Sequence, residues 1–168
     1  MHRFDFLSPT RIHFGAGTFA RAAEVSRSLG RRALLLVDPW LARNTSRVAE
    51  LQAAVGDLGG QLSVGSNISQ NPKSDEVDAA TQQFRAEGCT HVIGLGGGSA
   101  LDAAKAVNFL LTNGGTMHDY WGYGKARRPL LPMIAVPTTT GTGSEAQSFA
   151  LISDAQTRVK MACGDKKA

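Results

Sequence analysis

The sequence predicts an α/β fold: an open, mostly parallel, Rossmann-like sheet with helices on both faces, plus short N- and C-terminal hairpin strands. Three observations predict it. Apolar runs such as Ala33–Val37 (ALLLV) and His91–Leu95 suit strands that are covered on both sides. These runs alternate with segments of helical periodicity. Two glycine-rich loops, Gly94–Asn108 (GLGGGSALDAAKAVN) and Pro137–Glu145 (PTTTGTGSE), each sit directly after an apolar, β-branched run.

The elements follow in chain order. Phe4–Phe14 alternates loosely around Pro9 and reads as two short strands of an edge hairpin. Gly15 and Gly17 open a helix whose inner face carries Phe19, Ala22, Ala23 and Ser26, and Gly30 stops it. Ala33–Val37 is the first central strand and ends at Asp38-Pro39. A helix runs from Leu41 or Thr45 to Leu58, where Gly59-Gly60 ends it, and Gln61–Val64 is a short strand. Asn71-Pro72 is a turn. Ser74 is a suitable N-cap for a helix reaching Glu87, with Asp75 and Glu76 placed where the helix dipole favours anions. His91–Leu95 is the next strand. Ser99–Leu111 is the next helix, with Ala100, Ala104, Val107 and Leu111 along its buried stripe. Asn113–Arg128 is an irregular connection carrying Tyr120, Trp121 and Tyr123. Leu130–Val136 is another strand, and Phe149–Ile152 with Arg158–Ala162 form a terminal hairpin. No linker or internal repeat interrupts this order, so residues 1–168 read as one domain.

Composition narrows the partners. A net charge of +4 from 18 Lys and Arg against 14 Asp and Glu is a mildly basic, solvated surface. Nucleic-acid binding would want a denser basic stripe or a known module, and neither is present. The N-terminus has no apolar signal core, and no stretch approaches the length of a membrane span. Cys89 and Cys163 have no paired or metal-ligand spacing and read as free thiols of a cytoplasmic protein. The histidines His2, His13, His91 and His118 show no metal-binding spacing.

The two loops carry the chemistry. Gly96, Gly97 and Gly98 let a backbone approach a ligand closely, and the first amides of the helix at Ser99 point outward without partners. A phosphate or pyrophosphate satisfies those amides and the dipole behind them, and the Ser99 hydroxyl can add a donor. Asp38, at the end of an early strand, is placed to accept hydrogen bonds from an adenosine ribose diol and to repel a 2′-phosphate, which favours NAD over NADP. The second loop has four threonines and a serine within eight residues: Thr138, Thr139, Thr140, Thr142 and Ser144. Both loops lie beyond strand ends, where ligand crevices form in such sheets, and they are expected to converge. Asp102 and Lys105 sit one turn apart on the helix after the first loop, able to share a face with Ser99 near the ligand, or else to form a surface ion pair.

GGGSALDAAKAVN together with PTTTGTGSE resembles the iron-containing (group III) alcohol dehydrogenases. The resemblance extends through IHFGAG (Ile12–Gly17), LLLVD ending at Asp38, the Asn71-Pro72 turn, and FALISDAQTRVKMACGD ending at Asp165. Sugar-phosphate cyclases and glycerol dehydrogenases share the first loop, but usually not GTGSE in the second.

The resemblance implies an NAD(P)-dependent oxidoreductase of two domains. The first binds the dinucleotide. The second, all helical, supplies aspartate and histidine ligands to Fe²⁺ or Zn²⁺, which would polarise the oxygen of an alcohol or aldehyde substrate. Carried onto this chain, it implies cofactor contacts at Asp38, Gly96, Gly97, Gly98, Ser99, Thr138, Thr139, Thr142 and Lys160, with Asp102 and Lys105 beside the nicotinamide end. No D-x-x-x-H occurs here, so the family's helical metal-binding domain is expected to be missing from this chain, which would bind no metal and by itself turn nothing over. The alternatives are a non-catalytic nucleotide-binding module and a dehydroquinate synthase-like or glycerol dehydrogenase relative. An apolar face left for a second domain would also favour homo-oligomers.

Overall fold

The computed structural model describes residues 10–65 and 67–168. Its centre is a four-stranded parallel sheet made of β1 (Arg32–Val37), β2 (Gln61–Gly65), β3 (His91–Gly96) and β5 (Met133–Pro137), in the order β2-β1-β3-β5. A second sheet, order β4-β7-β6, contains β4 (Gly122–Tyr123), β6 (Phe149–Ser153) and β7 (Lys160–Gly164). The helices are α1 (Arg21–Leu29), α2 (Pro39–Asn44), α3 (Arg47–Asp57), α4 (Ser74–Ala86) and α5 (Gly98–Asn113).

Strand alternation divides the core in two. Ala33, Leu35 and Val37 of β1, with Ile93 and Leu95 of β3, face Ala22 and Ala23 of α1, Leu41 of α2, and Leu51 and Val55 of α3. Leu34, Leu36 and Val92 face the other way, onto Val77 and Phe84 of α4 and Ala104 and Val107 of α5. The β6–β7 hairpin then covers the far side of α5 with Ala150, Ile152, Met161 and Cys163. Residues 100–110 of α5 are therefore all buried, as expected for a helix packed between two sheets. Gly94 allows this: a Cβ there would lie 3.0 Å from Leu101 Cδ2 and 3.2 Å from the Cβ of Ala104.

Several elements depart from the sequence expectation. Residues 4–9 of the N-terminal hairpin lie outside the described residues, and residues 10–14 form no strand. The helix expected up to Leu58 is two helices, because Thr45 between them is extended (φ −136°, ψ 159°). Lys73, not Ser74, is the N-cap of α4; the Glu76 carboxylate accepts from the Lys73 amide at 3.2 Å. The strand expected from Leu130 begins at Met133, just past Pro132, which has no amide for a ladder. The terminal hairpin forms as expected, β6 antiparallel to β7, and lies in the second sheet. The connection after α5 is partly ordered by a 3₁₀ turn, Met117–Tyr120, and by β4, which pairs parallel to β7.

Tyr123, Phe149 and Leu151 are exposed on the second sheet, the rings of Tyr123 and Phe149 5.6 Å apart. Both cysteines are buried and free; burial raises the Cys163 thiol to about 11. No described helix is long and apolar enough to cross a membrane.

His91 is fully buried, with Nε2 2.8 Å from the Ser26 hydroxyl and Nδ1 3.0 Å from that of Thr90. Burial lowers its pKa from 6.5 to about 4. Below pH 6.5 the unfolded chain gains a proton that the folded state refuses until about pH 4. Stability is thus expected to be full above pH 6.5 and to fall toward pH 4, by up to about 1.4 kcal/mol per pH unit. Urea unfolding across that range should show the slope in the wild type and a flatter one in His91→Gln.

Candidate functional site

β1 and β3 are neighbours, with Val37 level with Leu95. The chain leaves β1 toward the α2–α3 side of the sheet, and leaves β3 for α5 on the opposite side. A crevice opens where adjacent strands send their connections apart. Asp38 stands on one lip and Gly96–Ser99 on the other.

On the first lip, Asp38 is the N-cap of α2 and accepts the Leu41 amide on Oδ1 at 2.8 Å. Oδ2 is turned across the crevice, 3.1 Å from where a Gly96 Cβ would stand. On the second lip, Gly96 has φ +149°, and its carbonyl accepts the Thr138 amide at 2.9 Å. Gly97 caps α5 and has no side chain to offer the helix start. The amides of Gly98 and Ser99 precede any intrahelical partner, since the first closing bond runs from Ala100 to Gly97.

The second loop closes on the first. A Cβ on Gly97 would meet Thr139 Oγ1 at 3.2 Å, and one on Gly98 would meet Thr142 Cγ2 at 3.3 Å. Thr138, Thr139 and Thr142 are exposed, and Thr139 and Thr142 stand beside the start of α5. The convergence expected from sequence is therefore present.

Ser99 and Lys160 meet through Asn71, in the turn expected at Asn71-Pro72. Asn71 adopts φ +56°, a conformation asparagine tolerates better than most residues. Its amide donates to Ser99 Oγ at 3.2 Å, and its side-chain oxygen accepts from Lys160 Nζ at 3.0 Å. Lys160 is thereby held beside the start of α5 although it belongs to the second sheet. The signal in the sequence was Asn before Pro, which marks a turn but not what the turn holds.

Asp102 and Lys105 need correction. Expected on an accessible face beside the ligand, or as a surface pair, they are buried, at 8% and 2% exposure. Asp102 accepts from the Ser144 hydroxyl and the Leu151 amide, and Lys105 donates to the carbonyls of Gln147 and Phe149.

The model of the family described as iron-containing alcohol dehydrogenase matches residues 9–168. The chain belongs to that family. Among its relatives is the NAD-dependent methanol dehydrogenase of Bacillus methanolicus, 29% identical over 97% of this chain and 43% of that protein. The alcohol dehydrogenase of Oenococcus oeni superposes with a TM-score of 0.90 at 30% identity, over 97% of this chain and 43% of that one. Sulfoacetaldehyde reductase from Bifidobacterium kashiwanohense, solved in complex with NAD⁺, superposes with a TM-score of 0.83 at 27% identity, over 99% and 44%. The chain thus spans less than half the length of these relatives.

The family's name implies a metal. Among the described residues no three His, Cys, Asp or Glu are grouped to hold one. His118 instead sits 2.6 Å from Asp154, whose carboxyl is held well below the ordinary range by the Thr157 amide and hydroxyl and then by His118.

Gly96 and Gly97 should respond differently to alanine. Gly96→Ala places a Cβ 2.9 Å from that of Ala100 in a conformation that suits glycine, and is expected to lose about 1–3 kcal/mol of stability. Gly97 has φ −77°, so Gly97→Ala brings no backbone strain and has only to displace the exposed Thr139 side chain, 3.2 Å from the new Cβ; it should cost less stability in urea unfolding than Gly96→Ala.

Proposed function

We propose that the crevice binds NAD and that the chain is the cofactor-binding part of an alcohol dehydrogenase. The observation that carries this reading is the closure of the two loops, with Gly97 and Gly98 in reach of Thr139 and Thr142. The amides of Gly98 and Ser99, at the positive end of the α5 dipole, would hold the diphosphate. Thr138, Thr139 and Thr142 would add hydroxyl donors. Asp38 Oδ2 would accept from the adenosine ribose and disfavour the 2′-phosphate of NADP. Lys160, restrained by Asn71, would add positive charge beside the cofactor. NAD would supply the hydride acceptor for an alcohol, or as NADH the donor for an aldehyde. The chain's part is to bind and orient that carrier.

The Fe²⁺ or Zn²⁺ chemistry of the family is proposed for a protein that includes ligands beyond those described here, and cytoplasmic residence is proposed from the two free thiols. Purified chain is expected to bind NADH yet give no turnover when Fe²⁺ or Zn²⁺ is added.

Titration of NADH fluorescence tests the reading. Saturable binding is expected below millimolar concentration, and no binding at millimolar NADH with an intact circular dichroism spectrum would reject it. Asp38→Ala should weaken NADH about tenfold, the value of hydrogen bonds to a charged group, and narrow the preference over NADPH. The exposed Tyr123, Phe149 and Leu151 should also drive self-association, read by light scattering as a mass above 17.7 kDa.

A further inference from the structure

Something other than backbone pairing fixes the second loop. After Thr142 the chain turns at Gly143 (φ +65°) and brings Ser144 into the interior, 4% exposed. The Ser144 hydroxyl donates to Asp102 Oδ1 at 2.5 Å. The other oxygen of Asp102 accepts the Leu151 amide at 3.2 Å. One turn along α5, Lys105 donates to the carbonyls of Gln147 at 3.0 Å and Phe149 at 2.5 Å, and stands 3.5 Å from Asp102 Oδ1. Burial pulls the Lys105 ammonium below its ordinary value, while the charges of Asp102 and Glu145 oppose that shift.

These contacts tie the segment after the loop, residues 144–151, to the helix whose first residues form the other loop. Asp102 is four residues beyond Gly98, so one rigid element presents the bare amides and anchors the threonines. A buried ion pair with every partner in place is costly to break on one side, and that makes it an effective fixed point.

We infer that Ser144 is a positioning residue: through Asp102 and Lys105 it sets the distance between the threonine loop and the glycine loop, and so the affinity for a dinucleotide. This rests on the NAD reading above. Ser144 touches no cofactor in this scheme. Its hydroxyl is spent on Asp102, and its effect reaches the crevice through Thr139 and Thr142.

The test compares the full chain with Ser144→Ala and with Ser144→Thr, which keeps the hydroxyl. Hydrogen exchange of the amides in residues 138–148 is one readout, NADH affinity a second, and the unfolding midpoint a third. Ser144→Ala is expected to speed exchange in that segment tenfold or more, with β1 and β3 unchanged. NADH Kd should rise about tenfold, the midpoint should fall by no more than the loss of one buried hydrogen bond to a carboxylate brings, and Ser144→Thr should recover all three readouts. Unchanged loop exchange in Ser144→Ala overturns the inference, as does faster exchange with unaltered NADH affinity. Faster exchange that spreads over the whole sheet also overturns it, because Ser144 is then merely structural. If the wild type fails to bind NADH, the NAD reading falls and takes the affinity claim with it, while the exchange arm alone reports whether Ser144 fixes the loop.

Discussion

Everything at the crevice depends on how closely α5 lies against β3. With no side chain at Gly94, Leu101 and Ala104 come down onto the strand. That contact fixes where α5 begins, and therefore where the amides of Gly98 and Ser99 point. A larger residue at 94 would lift the helix and swing its start away from Asp38. The alanines at 100, 103, 104 and 106, all buried, serve the same end, because a helix squeezed between two sheets has little room on any side.

Much of this was legible from residue order. The strands β1 and β3 announce themselves as apolar runs, and the two loops as glycine and threonine clusters at their ends. What the sequence could not convey was depth. Asp102 and Lys105 are charged residues at i and i+3 on a helix, a pattern that nearly always lies in water. They are interior here because the β6–β7 hairpin folds over α5, and the one local sign of that cover is that the residues around them on the helix are apolar or small on nearly every side. Pairing across long separations was equally hidden: Asn71 gains its importance from Ser99 and Lys160, 28 and 89 residues away. The split between α2 and α3 falls in the polar run of residues 43–47, close to the later of the two helix starts, Leu41 or Thr45, that the sequence allows.

The second sheet explains why a small α/β unit carries so many buried polar groups. Its strands β6 and β7 are short, and β4 is shorter still. Apolar burial by Ala150, Ile152, Met161 and Cys163 holds them to α5, but it is non-directional and would tolerate sliding. Hydrogen bonds from Lys105 and to Asp102 fix the register that the apolar contacts leave loose. Asp165, fully buried, does the same at the far end of β7 by accepting from the Ala126 amide at 3.0 Å and from Lys167 Nζ at 2.9 Å.

The bridge from Asn71 to Lys160 has a consequence for biogenesis. A ribosome delivers β1, β2 and β3 well before residue 160, and the early part of the parallel sheet can collapse as it emerges. The lysine arrives only with β7, after the chain has doubled back across α5. The glycine-lined start of α5 is therefore made well before the cation that flanks it, and the order of translation keeps Lys160 away from Asn71 until the late strands have docked.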